Sequence, residues 1–241
     1  MTTVEEIKRA LERLDLEGHY DIHWWLGELI DSRYRSSGVR EPPPAHADPN
    51  PPFMRFDEFL EFAGHSLLQY EYVNGIPHAM TGPSLAHCRI AQKLLIAIGT
   101  HLRGGPCEVF GTGVNLQIHS ATDHIQYIPD LMIACNPNDW NDKWVSNPKL
   151  VAEVLSPSTR NIDLREKASI YRQVESIEEY VILEQSKHEV TVFRRAEDWR
   201  ARTYRGVAAV AELRSISLSI PLAEIYGSAL PDAATVAVST V

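Results

Sequence analysis

Residues 150–155 read LVAEVL and run directly into Ser156, Pro157, Ser158 and Thr159. A short β-branched run of this kind suits a strand buried on both faces of a sheet, and Glu153 sits inside it. A second apolar run, YIPDLMIA over 127–134, carries Asp130 in the same way. An ionised carboxylate in so dry a setting is costly unless it is paired, hydrogen-bonded or metal-bound. Two of them on adjacent strands would repel unless something positive lay between. A hard divalent cation such as Mg²⁺, which takes one or two carboxylates plus waters, meets that need.

The segment after Glu153 supplies a cation of its own. Ser158–Gln173 is predicted to be helical, and Asp163 and Lys167, four apart, share a face of it. Because this helix leaves the carboxyl end of the Glu153 strand, Lys167 is placed to fold back and orient a water there. The plain alternative is an exposed i,i+4 ion pair worth ~0.3–0.5 kcal/mol.

Further out, Phe56–Phe62 reads as a short helix. Gln69–Val73 and Ile76–Met80 read as a hairpin, because Asn74-Gly75 suits the positive φ angles of a type I′ turn. Pro83-Ser84 marks a helix start, and Ile90, Leu94 and Ile98 form the buried stripe of that helix, which ends by Gly104-Gly105. Val109–Ile118 and Ile125–Cys135 have strand character, Tyr180–Leu183 and Val190–Phe193 read as a strand pair, and Ile216–Ile220 alternates. The fold class is therefore α/β (α+β): a mixed central sheet flanked by helices. Two amphipathic helices over 1–40, a linker at 41–52 holding six of the chain's 15 prolines, a main domain over 53–230 and a tail over 231–241 complete the expected organisation.

Composition excludes several classes. The chain has 241 residues with 23 Lys+Arg against 32 Asp+Glu, a net charge of −9, which disfavours nonspecific coating of nucleic acid. No apolar run approaches the ~18–20 residues of a membrane helix, and the first residues have no signal-peptide core. Cys88, Cys107 and Cys135 form no CxxC and point to reduced thiols in a cytoplasmic protein. His19 and His23 have the spacing of a zinc pair but no HExxH pattern. Gly111-Thr112-Gly113 lacks the third glycine of a dinucleotide fingerprint, and no GxSxG elbow is present. Arg194, Arg195, Arg200, Arg202 and Arg205 read as a solvated hairpin face or, alternatively, a rim that contacts phosphates.

Several pieces occur in order: Tyr70-Glu71 before the Asn74-Gly75 turn; Pro83-Ser84 with His87; Pro129-Asp130; the run EVLSPST from Glu153 to Thr159; Asp163 with Lys167 and Tyr171; and Glu179-Tyr180. Together they resemble the Uma-two family of restriction-endonuclease-like proteins, within the PD-(D/E)XK nuclease superfamily, over roughly residues 53 to 220. The resemblance implies a restriction-endonuclease-like core, with Asp130, Glu153 and the Val154 carbonyl as ligands of Mg²⁺ or Mn²⁺. The superfamily lysine normally stands two residues after the second acid, where this chain has Leu155, so Lys167 is its expected replacement and Asp163 the partner of that lysine. Glu71 is a candidate outer carboxylate, and His87 a candidate to bind a phosphate or hold a carboxylate. The implied activity is hydrolysis of DNA phosphodiester bonds by a homodimer. The rival expectation is a non-catalytic binding or assembly protein that keeps the nuclease scaffold.

Overall fold

The computed structural model describes residues 53–80, 82–119, 124–156, 159–160, 162–227 and 230. The helices expected over 1–40, the linker at 41–52 and the tail from 231 lie outside these residues. In chain order the elements are helix α1 (Phe56–His65), strands β1 (Tyr70–Val73) and β2 (Ile76–Ala79), and helix α2 (Leu85–His101). Strands β3 (Glu108–Gly111), β4 (Asn115–His119), β5 (His124–Tyr127), β6 (Leu131–Ala134), β7 (Trp144–Val145) and β8 (Leu150–Leu155) follow. A π-helical turn (Ile162–Lys167) leads into helix α3 (Ala168–Gln173). Strands β9 (Glu179–Glu184), β10 (Glu189–Arg194), β11 (Ala201–Arg205), β12 (Val210–Leu213) and β13 (Leu218–Pro221) and helix α4 (Leu222–Tyr226) end the chain of elements.

These residues form two compact units, one of residues up to Met80 with His119–Gln126, the other of Thr81–Ile118 with Tyr127 onward. In the first, β1 and β2 form the expected hairpin, Val73 opposite Ile76, with Asn74 and Gly75 at φ 44° and 98°. Glycine is required at the second position twice over: its φ is positive, and a Cβ would lie 1.8 Å from the Phe53 ring. Helix α1 buries Phe59 with Tyr70 and Tyr72 in an aromatic cluster, and β5 pairs with β1 through Val73 and Ile125.

The second unit is built on a six-stranded sheet in the order β11-β10-β9-β8-β6-β3. Only β8 and β9 run parallel; the other pairs are antiparallel. Both parallel strands are buried at every position, the property that makes such strands read as unbroken apolar runs. Alternate residues of β8 serve opposite faces. Leu150, Ala152 and Val154 pack with Ile90, Leu94 and Ile98 of α2, and the same core takes in Ile220, Leu222 and Tyr226. Val151, Glu153 and Leu155 face the other way, toward the helical segment 162–173. Ser84 caps α2, its Oγ accepting the His87 N–H at 3.1 Å.

Three sequence expectations are corrected. Val109–Ile118 is two strands, broken at Thr112 and at Gly113, which adopts φ 97°. Ile125–Cys135 is likewise broken, at Ile128–Asp130, which frees Asp130 from the ladder. Cys107 and Cys135 are joined in a disulfide, and Cys88 alone is a free thiol. The register explains the bond: Glu108 lies opposite Ala134, so the next residues outward, Cys107 and Cys135, also face each other. Among the described residues no helix is long and apolar enough to cross a membrane.

Candidate active site

Asp130 lies immediately before β6, and Glu153 lies on the neighbouring β8, one residue beyond the Leu131–Ala152 pair. That register brings the two acids together. The Asp130 N–H donates to Glu153 Oε2 at 3.3 Å, and the Val154 N–H donates to Asp130 Oδ2 at 2.7 Å. In a strand the N–H and C=O of one residue point to the same edge. The Val154 carbonyl therefore faces the edge where Asp130 sits, past the end of the β6 pairing.

Lys167 reaches this point from the far end of the π-helical turn. Its Nζ donates to Glu153 Oε1 at 3.1 Å and lies 3.5 Å from Asp163 Oδ1. The side chains of Lys167 and Asp163 are only 5% and 3% exposed, so this is no solvated i,i+4 pair. The ammonium also stands 5.0 Å from the centroid of the Tyr127 ring, a cation–π distance. Tyr171, one turn further on, donates its hydroxyl to the same Glu153 oxygen at 3.2 Å, and Tyr180 donates to the Asp163 carbonyl at 3.1 Å. π-helical turns are rare and recur at functional sites; this one ends on Lys167.

His87, in the first turn of α2, places Nε2 2.7 Å from Asp130 Oδ1. Its Nδ1 is buried and, among the described residues, has no hydrogen-bond partner. Of the residues singled out in the sequence, Asp130, Glu153, Val154, Lys167, Asp163 and His87 thus meet at the carboxyl end of β8. Glu71 belongs to the first unit, on β1 opposite His78. Sequence reasoning missed Tyr127, and it also missed Glu184, a buried acid ending the apolar run EYVILE. The criterion that singled out Glu153 applies equally to Glu184. Of the arginine cluster, Arg194 is buried against Glu179 at 2.8 Å, and Arg195 donates to the carbonyls of Ile177 and Val174 at 2.9 and 2.5 Å. Buried as it is, Arg194 is not a solvated or phosphate-facing side chain.

The donor chemistry fits a hard divalent cation: two carboxylates linked through one amide, with a backbone carbonyl on the same strand edge. Among the described residues no three His, Cys, Asp or Glu side chains form a metal cage. Mg²⁺, which keeps several waters, needs none; a structural zinc site would.

Comparison with known proteins yields three findings. A family model described as "Uma2: Putative restriction endonuclease" matches residues 56–226. An uncharacterized Synechocystis protein, slr1290, is 30% identical over 187 residues, covering 76% of this chain and 96% of that protein. The chain also resembles a crystal structure titled as a putative nuclease belonging to DUF820 from Anabaena variabilis ATCC 29413. The TM-score is 0.61 over 73% of this chain and 99% of that one, and at 14% identity the likeness concerns the fold alone.

Proposed function

The chain belongs to the Uma2 family, described as "Putative restriction endonuclease", and on that premise we propose that it is a divalent-metal-dependent endonuclease acting on DNA phosphodiester bonds. One observation carries the reading: Asp130 and Glu153 meet at a single strand end with the Lys167 ammonium 3.1 Å from Glu153. Asp130, Glu153 and the Val154 carbonyl would hold the cation, Mg²⁺ or Mn²⁺. Bound there, it supplies Lewis acidity, polarising a phosphoryl oxygen and acidifying the attacking water.

The chain's own residues do the rest. Lys167, anchored by Glu153 and Asp163, stands beside the reacting centre, where its charge would orient the water or stabilise the charge that builds on the phosphate. Tyr171 and the Asp130 amide fix the rotamer of Glu153. His87 and the Val154 amide do the same for Asp130, so the carboxylates are placed before substrate arrives. Two copies of the chain pairing such sites would cut both strands of a duplex.

A second reading has one observation in its favour. All four carboxylate oxygens of Asp130 and Glu153 already meet protein donors, an arrangement that a non-catalytic scaffold would also keep. Nicking of supercoiled plasmid separates the two. The endonuclease nicks with Mg²⁺ or Mn²⁺, stops on EDTA, and loses on the order of 10³-fold or more in Asp130→Asn and Glu153→Gln. Undiminished nicking by the purified double variant would remove the enzyme reading, and failure of calorimetry to detect a bound cation would favour the scaffold.

A further inference from the structure

Lys167 is buried, so a polyanionic substrate has to be gripped by some other cation at this end of the sheet. β8 and β9 are parallel and in register, Glu153 beside Ile182 and Leu155 beside Glu184. Side-by-side residues on neighbouring strands share a face, and alternate residues along a strand return to it. Glu184 therefore projects on the same face as Glu153, one strand over (~4.8 Å) and two residues further toward the carboxyl end (~6.6 Å), about 8 Å away between Cα atoms. Its carboxylate is engaged in a fork: Arg160 Nη1 donates to Oε2 at 2.8 Å and Nη2 lies 2.7 Å from Oε1. The Glu184 side chain is 10% exposed, but that of Arg160 is 46% exposed.

A guanidinium carries five N–H donors in one plane. Glu184 takes two of them, one from each terminal nitrogen, which leaves the Nε–Nη edge as a second fork of the shape that matches a phosphate. We propose that Arg160 is a substrate-binding residue that grips a DNA backbone phosphate beside the Asp130–Glu153 centre, with Glu184 as the positioning residue that aims it. The inference rests on the endonuclease reading and supplies what that reading lacks, an exposed cation at the mouth of the site in a chain of net charge −9. It also accounts for a buried acid at a strand end that the hydrolytic centre does not use.

The test measures duplex binding by fluorescence anisotropy with Ca²⁺ replacing Mg²⁺, over a series of salt concentrations. Arg160→Gln should weaken binding roughly ten- to a hundredfold, the loss of one hydrogen-bonded charge contact. It should also flatten the slope of log affinity against log salt by about 0.9, the value of one phosphate contact. Arg160→Lys keeps the charge and should keep the slope while losing affinity. Because Arg160→Gln strips the partner from a buried carboxylate, the double variant Arg160→Gln/Glu184→Gln is measured alongside, with thermal melts; it should fold and show the same flattened slope. An unchanged slope and affinity in a folded Arg160→Gln protein overturns the inference. A wild type that does not bind DNA overturns this inference and the endonuclease reading together. DNA binding with the expected Arg160 effects but no Mg²⁺-dependent nicking leaves Arg160 in place and removes only the hydrolytic reading.

Discussion

Two buried ion pairs occupy the same six-stranded sheet, and they are built on opposite principles. At the amino end of β9, Glu179 is saturated. Its Oε1 accepts from Arg194 Nε at 2.8 Å and the Arg214 N–H at 3.0 Å, and its Oε2 from the N–H and hydroxyl of Ser215 at 3.0 and 2.6 Å. Arg194 in turn spends its fork on Glu179, Glu197, Tyr204 and the Glu212 carbonyl. Burial opposes the charge on Arg194, yet the hydrogen bonds it donates to Tyr204 and Glu179 carry its pKa above the ordinary arginine value. At the carboxyl end of β8, by contrast, Glu153 and Asp163 share the single ammonium of Lys167, and Asp130 sits against Glu153 through its backbone N–H. The first cluster ties β9, β10 and the approach to β13 together. The second concentrates negative charge at the strand end where α/β sheets bind their ligands. Burial alone therefore does not distinguish the two ion pairs; the local balance of charge does.

The contrast breaks most visibly under mutation. Glu179→Ala leaves Arg194 buried without its carboxylate and should cost about 3–5 kcal/mol of stability. Glu153→Gln keeps the side chain's shape and removes one of three crowded charges, so it should change stability by about 1 kcal/mol or less while abolishing nicking. Urea unfolding midpoints read both, and an equal loss in the two variants would erase the distinction drawn here.

A smaller effect comes from the disulfide. Cys107 and Cys135 close a 28-residue separation, for which chain entropy gives about 3.5 kcal/mol. The bond lies at the Glu108–Ala134 end of the β3–β6 ladder, whereas Asp130 lies beyond the Gly111–Leu131 end. Cys107→Ser should therefore lower the unfolding midpoint yet leave Mg²⁺-dependent nicking intact at 25 °C. Loss of nicking in the folded variant would show the two ends to be coupled.

The smallest effect is in the first unit. His119 faces His124, Nδ1 to Nδ1 at 3.2 Å, and burial together with the charge of His124 holds its pKa below the ordinary value. As pH falls below ~6.5 the unfolded chain takes up a proton that the folded ring resists. Stability then declines until the lowered folded pKa is passed, and above ~7.5 the residue contributes no slope. His119→Phe should flatten the midpoint-versus-pH curve between 7.5 and 5.5, and an unchanged curve would assign the slope to other groups.

Local chemistry was readable residue by residue. Asn74-Gly75 fixed a turn because few other pairs tolerate two positive φ angles, Ser84 announced a helix start, and LVAEVL announced the buried strand. The same reasoning missed the breaks at Gly113 and Pro129, where apolar composition runs unbroken past a turn. It left Arg160 and Glu184 unpaired because they are 24 residues apart. It also left Cys107 and Cys135 reduced, since strand register, not spacing in the chain, makes them neighbours.

The amino-acid sequence alone determined the β1–β2 hairpin, helix α2 and strand β8, and that Glu153 would be buried in an apolar strand. Hydrophobic periodicity and desolvation cost act over a few residues and are written locally. Only the tertiary structure decided that Asp130 would lie beside Glu153, that a π-helical turn would deliver Lys167 between Glu153 and Asp163, and that Glu179, equally buried, would be neutralised by Arg194. Those outcomes depend on register across strands and on which residues meet at each strand end, quantities that only the packed sheet fixes.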